Sequence, residues 1–210
     1  MSRYLNAIIT LVIFAIFLKL GSIDSVQAKL QIDQKELAVG MALATFGSLL
    51  GLQLFSFESP NRDDQPPIKL GINLGGAVVP LLFMLHFFNL QPPAAMDMII
   101  LTLLVTAVVY PMSRFDSKRG MIVYLFGAVV FAAVGALLLD PENYLVLAYS
   151  AAVLGTLIGG DLLHLPQIKK LAERRANTII IGGGGVLDAI FLSGLLAMMT
   201  AETMQQMNFL

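Results

Sequence analysis

Long apolar stretches separated by short polar segments dominate the chain. Each stretch is about as long as a helix that crosses a bilayer core, roughly 17–25 residues, and a helix satisfies its own backbone polar groups in lipid. The stretches are 5–20, 37–57, 71–90, 94–110, 120–139, 144–165 and 178–200. They lack the alternation of a membrane barrel. The pattern therefore predicts an all-α membrane protein, a compact bundle of about seven transmembrane helices.

Composition supports this class and excludes several others. Hydrophobic residues make up 57% of the chain and charged residues 13%, whereas a soluble domain carries roughly 25% charged residues. The chain has no Cys, which excludes disulfides and thiolate metal sites, and its two histidines exclude a histidine-rich metal site. A net charge of −1 gives no basic field for nucleic acid. We therefore expect the lipid bilayer as a partner, no nucleic acid, no metal and no cofactor.

Lysine and arginine are distributed unequally between the two predicted sides of the membrane. One side carries Arg3, Arg62, Lys69, Arg114, Lys118, Arg119, Lys169, Lys170, Arg174 and Arg175, and the other carries Lys19, Lys29 and Lys35. Short loops rich in these residues stay in the cytoplasm. The asymmetry predicts a cytoplasmic N-terminus and an external C-terminus.

The N-terminal segment allows two interpretations. Residues 1–36 are predicted to form a transmembrane helix and an external loop, and residues 37–210 a six-helix membrane domain. Alternatively, the first apolar stretch is a signal peptide that is cleaved after Ala28. Lys19 interrupts that stretch, and about ten residues separate the apolar run from the proposed cleavage site.

Two aspartates lie inside predicted spans, where charge is costly. An ionised carboxylate at the bilayer centre costs about 2.5–3.5 kcal/mol on insertion scales, so such residues usually face the protein interior and serve a function. Asp188 lies near the middle of the last span, and Asp161 lies near the cytoplasmic end of the preceding one. We expect the two carboxyl groups to face each other across these antiparallel helices and to share a proton. An aspartic protease uses such a pair to activate water and to protonate the leaving group.

Small and polar residues accompany the two aspartates. Four glycines precede Asp188 and let a backbone or substrate come close, and His164 shares a helical face with Asp161. Pro80 is expected to kink the third span, and Asn73 either joins the site or makes an interhelical hydrogen bond. The predicted supporting residues are Asn73, Pro80, Gly159, Gly160, His164, Gly182, Gly183, Gly184 and Gly185.

Three stretches resemble a known family of prokaryotic multi-pass membrane proteins. The stretches are 71–80, 155–165 and 181–194, and they are similar to the family of unknown function DUF1614. The resemblance extends from about Leu37 to Thr200. It implies a multi-pass protein of the cell membrane, a prokaryotic inner or plasma membrane, and no particular activity.

The aspartate motifs also resemble those of presenilins and signal-peptide peptidases, which are intramembrane aspartyl proteases. Asp161, followed by a proline and a basic loop, is similar to their first catalytic motif, and Asp188 with the residues after it is similar to the second. Two differences stand out. The spacing before Asp188 is G-x-x-D instead of G-x-G-D, and Pro80 lies on an earlier helix than the Pro-Ala-Leu motif of that group.

Three functional hypotheses follow from these residues. The first is an intramembrane protease that cleaves a transmembrane peptide with Asp161 and Asp188. The second is a transporter or proton-coupled carrier of a small solute that uses the same aspartates. The third is a non-catalytic assembly factor.

Overall fold

The computed structural model describes residues 19–57, 67–116, 120–166 and 178–209, together with residues 12, 15 and 16. The described chain is mostly helical, as predicted. Its α-helices are α1 (Ser22–Leu30), α2 (Gln34–Gly47), α3 (Val79–Leu90), α4 (Ala95–Met112), α5 (Leu125–Leu139), α6 (Tyr144–Thr156) and α7 (Ala189–Gln206). Its strands are β1 (Gly51–Phe57), β2 (Ile68–Asn73), β3 (Arg114–Asp116), β4 (Gly120–Ile122) and β5 (Thr178–Ile181).

Short irregular helices interrupt or extend three of these elements. A π-helical turn, Leu74–Val78, joins β2 to α3. A second π-helical turn, Leu157–Asp161, and a 3₁₀ turn, Leu162–His164, continue α6. A further 3₁₀ turn, Gly185–Leu187, precedes α7.

Two small sheets correct the prediction of an all-α chain. Strands occupy parts of four predicted spans, 37–57, 71–90, 120–139 and 178–200. Hydropathy conceals these strands because their residues are apolar as well. β1 mixes Leu and Phe with Gln and Ser, and β5 consists of one threonine and three isoleucines. Such β-branched and aromatic residues favour a half-buried strand over a helix.

The larger sheet has the strand order β1-β2-β5. β1 pairs antiparallel with β2, with an irregular register between Gln53 and Phe55, and β2 pairs in parallel with β5. Both parallel strands then lead into helices, β2 into α3 and β5 into α7. The carboxyl ends of β2 and β5, and the turns that follow them, therefore lie side by side.

The core is built around α6. Every residue of α6 except Leu154 is buried, because α4, α5 and α7 pack around it. Small residues make this packing close: Ala128, Ala132 and Ala136 line one face of α5 and are fully buried. Close backbone approach through such residues holds helices together where the hydrophobic effect cannot.

Two of the described helices are long and apolar enough to cross a bilayer. They are Ala95–Met112 and Tyr144–His164, and they coincide with the predicted spans 94–110 and 144–165. Leu74–Leu90 and Leu125–Leu139 are apolar but shorter. The predicted first span 5–20 lies mostly outside the described residues.

A buried carboxylate that the sequence did not reveal holds α1 against α6 and α7. Glu202 on α7 has no exposed surface. It accepts hydrogen bonds from Ser25 and Tyr144, and Lys29 Nζ lies 2.9 Å from its carboxylate. Lys29 also donates to the Tyr144 hydroxyl at 2.7 Å. These four residues, called here the Glu202 network, join three helices at the end of the bundle opposite β5.

The Glu202 network bears on the proposed cleavage site. Ser25 and Ser22 both precede Ala28, and Ser22 bonds to Thr203 at 2.7 Å. Ala28 itself lies inside α1. Cleavage after Ala28 would therefore remove side chains that bind α7.

We predict a pH-dependent contribution of Glu202 to stability. Burial opposes its ionisation, but hydrogen bonds from Ser25, Tyr144 and Lys29 outweigh burial and hold the pKa of Glu202 below its ordinary value of 4.5. Its stabilising contribution is then complete above the unfolded pKa, and it is lost as pH falls through the lower folded pKa. The difference in free energy of unfolding between wild type and Glu202→Gln should shrink below about pH 4.5.

The control for this measurement is Glu142→Gln, which changes an exposed acid. Its free energy of unfolding should follow that of the wild type at every pH. A gap between wild type and Glu202→Gln that stays constant from neutral to acidic pH would contradict the assignment.

Candidate functional site

Asp161 occupies an irregular part of its helix. It ends the π-helical turn Leu157–Asp161 and is 8% exposed. Such turns within α-helices are frequent at functional sites. Gly159 lets α4 approach closely, because a Cβ there would lie 2.8 Å from the Thr106 carbonyl oxygen. Gly160 likewise lets the chain after β4 approach closely, because a Cβ there would collide with the Val123 side chain. The two predicted glycines thus set the packing around Asp161.

Asp188 lies at the beginning of α7, which corrects its predicted position in the middle of a helix. Its side chain accepts hydrogen bonds from the backbone N–H groups of Ile190 and Gly184, each at 3.0 Å. A short acidic side chain before the first helical residue is a favourable N-cap. Asp188 therefore fixes where α7 begins.

The four glycines form a turn instead of a weakened helix. Gly182 and Gly185 have φ values of 70° and 62°, a left-handed conformation that other residues rarely adopt. This turn packs against the π-helical turn after β2, since a Cβ on Gly76 would lie 2.8 Å from the Gly185 carbonyl oxygen. Backbone therefore meets backbone at this junction, with no room for side chains.

Asn73 connects two of these backbone segments. Its amide nitrogen donates to the Ser48 carbonyl at 2.9 Å, and its oxygen accepts from the Gly76 N–H at 2.9 Å. The Ser48 hydroxyl in turn accepts from the Val186 N–H at 3.0 Å. Of the two alternatives for Asn73, a place in the site or a hydrogen bond between segments, the structure shows the hydrogen bonds. The sequence did not reveal that Ser48 takes part in them.

The structure places the two aspartates at the same end of the antiparallel helices α6 and α7. Tyr144 bonds to Glu202 at one end of this pair, and Ser193 donates to the Ala152 carbonyl farther along, so the end of α6 that carries Asp161 lies toward the start of α7 at Asp188. Among the described residues, no donor reaches the Asp161 carboxyl, whereas Asp188 accepts two backbone N–H groups. The pair therefore consists of one carboxyl fixed by backbone donors and one held mainly by packing. Acid and base roles are commonly divided between carboxyl groups whose surroundings differ in this way.

Comparison with known proteins identifies the family. Residues 23–200 match the family described as "Protein of unknown function (DUF1614)". The chain belongs to this family. No curated protein and no solved structure matches the chain. The matched range contains Asn73, Asp161 and Asp188. It begins at residue 23, whereas the resemblance carried by the three motifs begins at about Leu37.

In this DUF1614 chain, His164 follows Asp161 by three residues, in the 3₁₀ turn that continues α6. It is 3% exposed, and its ring centroid lies 4.7 Å from that of Tyr110, with the two rings tilted by 43°. Its Nδ1 atom has no hydrogen-bond partner, and no described hydrogen bond joins it to Asp161. The structure thus packs His164 against α4 without linking it to either carboxyl group.

Pro80 is buried near the start of α3, just after the π-helical turn. The backbone hydrogen-bonding pattern changes at this point, which agrees with the disruption expected from proline. Its carbonyl accepts a hydrogen bond from the Tyr149 hydroxyl at 3.2 Å. Pro80 therefore helps to attach α3 to α6. No group of three or more His, Asp or Glu side chains that could hold a metal occurs in the part of the chain that the structure describes.

We predict that the Asn73→Leu variant is less stable than the wild type. Leucine has a similar size but leaves the Gly76 N–H and the Ser48 carbonyl without this partner, at a cost of about 1–3 kcal/mol. Chemical unfolding of the purified protein in detergent measures the loss. The matched control, Asn89→Leu, changes an exposed asparagine and should leave the unfolding midpoint unchanged. Equal midpoints for both variants would show that Asn73 does not hold the junction.

Proposed function

We propose that this DUF1614 chain is a multi-pass membrane protein that works as an intramembrane aspartyl protease, with Asp161 and Asp188 as its catalytic pair. The observation that carries the proposal is that both carboxyl groups lie at the same end of the antiparallel helices α6 and α7, which are joined by the Tyr144–Glu202 and Ser193–Ala152 hydrogen bonds. The two carboxyl groups come from two elements that both become irregular at that place, the end of α6 and the start of α7.

Support for a membrane location comes from the outward face of α4. Leu103 and Leu104 are 63% and 44% exposed, although Leu101 and Val105 on the inward face are fully buried. A helix on the surface of a soluble protein carries polar residues on its outward face. Large outward apolar faces of this kind are stable in contact with lipid.

The described ends of the bundle agree with the orientation inferred from Lys and Arg. Lys69 and Arg114 lie in β2 and β3, next to the predicted basic loops. Lys29 lies in the Glu202 network at the other end. In our proposal, the sheet end faces the cytoplasm and the Glu202 network faces outside. The loop 166–177, on which this orientation largely depends, lies outside the described residues apart from Pro166.

Labelling of single cysteines tests this orientation, because the native chain has no cysteine. We predict that a membrane-impermeant thiol reagent labels Lys35→Cys and Glu142→Cys from outside intact cells. Lys69→Cys and Arg114→Cys should react only after the membrane is permeabilised. Labelling of the last two variants in intact cells would invert the proposed orientation.

The proposed chemistry is hydrolysis of a peptide bond by water. One carboxylate accepts a proton as the water oxygen attacks the peptide carbonyl, and the other carboxylic acid then protonates the leaving nitrogen. The pair must hold one proton at the start, which is the favoured state when two carboxyl groups lie together. The side chain of Asp188 is held by backbone donors, so its position does not depend on the substrate.

The proposed substrate is a transmembrane peptide that becomes extended at the site. Support comes from β5, which leads directly into the glycine turn before Asp188. β5 pairs with β2 on one side, and its other edge pairs with no described strand. An extended segment can add to such an edge through main-chain hydrogen bonds. That would hold a peptide beside the two carboxyl groups.

We predict that Asp161→Asn and Asp188→Asn each abolish cleavage of a transmembrane reporter peptide in proteoliposomes. Asparagine cannot exchange the proton, yet it is as good an N-cap as aspartate, so Asp188→Asn should keep the start of α7. The double variant should be no less active than the single variants, because the two residues act as one unit. Activity of the wild type should peak in the pH range where the pair holds one proton.

The control is Asp97→Asn, which changes a half-buried acid in the first turn of α4 and should keep full activity. Cleavage that survives either Asp161→Asn or Asp188→Asn would refute the protease. A proton-driven flux of solute without cleavage, lost in both variants, would instead support a carrier. A wild type with neither cleavage nor flux would favour an assembly factor.

A further inference from the structure

An apolar cavity that neither aspartate lines lies between α1, α2, α3 and α7. Its volume is about 150 Å³. Most of its wall is aliphatic, aromatic or methionine side chain, including Leu37, Met41, Phe83, Met198 and Met199. Methionine side chains adapt their shape to an irregular occupant. The cavity is therefore suited to a flexible apolar group.

Polar groups gather on one side of this cavity. A second, open cleft of about 470 Å³ adjoins it, and Gln27 and Ile32 line both. Asp24 and Asp33 line the cleft, and Glu36 lines the apolar cavity. No described Lys or Arg lines either one. An apolar cavity thus opens beside a polar surface that carries three acids.

The nearest basic side chain on α1 does not neutralise these acids. Lys29 Nζ lies 2.9 Å from Glu202 and 2.7 Å from the Tyr144 hydroxyl, so its charge is already paired. Asp33 and Glu36 bond to each other's backbone N–H groups at the start of α2, which fixes their positions. Two acids line the cleft and a third lines the cavity; Lys35, exposed on α2 next to Glu36, lines neither, and His86 lines the cavity.

We propose that the cavity and the cleft together bind an amphiphile that has one alkyl chain and a cationic ammonium head. The chain end fills the apolar cavity, and the ammonium group lies among Asp24, Asp33 and Glu36. The site is concave and mostly apolar, with a few polar groups on one side, which is the usual form of a small-molecule site. It does not depend on Asp161 or Asp188.

The size of the cavity limits the occupant. A cavity of about 150 Å³ lined by aliphatic and aromatic side chains holds a molecule about as large as benzene. The cavity of 150 Å³ found here therefore takes the end of one chain and excludes two chains side by side or a sterol ring system. A single-chain amphiphile meets this limit.

A tryptophan reporter tests the proposal, because the chain has no native tryptophan. Phe83→Trp places the fluorophore in the cavity wall. The matched control, Phe131→Trp, places it on α5 at a residue that is 43% exposed. Both proteins are reconstituted in neutral bilayers and titrated with a long-chain alkylamine or a fatty acid, each brominated in the middle of the chain to quench fluorescence. Leu37→Trp serves as a second cavity reporter if Phe83→Trp does not fold.

The expected result is selective quenching. The reporter at position 83 should be quenched at a roughly five- to tenfold lower mole fraction of amine than of fatty acid, the preference that one partly screened charge contact produces. The control reporter at position 131 should show no such preference. Combining Phe83→Trp with Asp24→Asn and Asp33→Asn should abolish the preference, and Asn at position 33 keeps the cap of α2. Combining it with Glu142→Gln should retain the preference.

Three outcomes would overturn the proposal. Equal quenching of the reporters at positions 83 and 131 would mean that bulk lipid alone reaches the cavity. Equal quenching of the cavity reporter by amine and fatty acid would mean that the acids do not recognise a head group. Loss of amine preference in the Glu142→Gln protein would likewise show that general surface charge, and not this cleft, attracts the amine.

Discussion

The close approach of three backbone segments determines the arrangement of this molecule. The end of α2, the π-helical turn after β2 and the glycine turn after β5 meet around Gly76 and Gly185. A Cβ on Gly76 would collide with backbone carbonyls of the glycine turn, and one on Gly185 would collide with the Ser48 side chain. Asn73 and Ser48 supply the hydrogen bonds that hold these segments together. Buried backbone groups away from water require such partners. The junction therefore combines close packing with hydrogen bonding.

This junction determines what the carboxyl groups can do. Because the glycine turn is fixed from the side of β2, Asp188 caps α7 at the end of the helix pair where α6 continues into the turn that carries Asp161. One carboxyl is thus positioned by backbone donors and the other by helix packing, so the two differ in their surroundings although they are chemically identical. In the proposed protease, groups positioned in this way would need little rearrangement before a proton moves.

Much of the helical framework was predictable from the sequence, whereas the irregular parts were not. Long apolar runs identified α4 and α6, because periodicity and length agree there. The strands beside the glycines were missed because an apolar run of Thr and Ile has the same hydropathy in a strand and in a helix. Glu202 was missed because its partners Ser25 and Lys29 lie far away in sequence. Asp161 and Asp188 could be selected because charge is rare in apolar segments, but the cap formed by Asp188 depends on a turn that only the fold reveals.

The two faces of α4 are both apolar. Leu103 and Leu104 are exposed on one face, and Leu101 and Val105 are fully buried on the other. Hydrophobicity alone therefore gives this helix little preference for which face turns inward. In the proposed membrane setting, the fit of small residues against neighbouring helices would make that choice, so the shape of the side chains, and not their polarity, would determine how the helix is oriented.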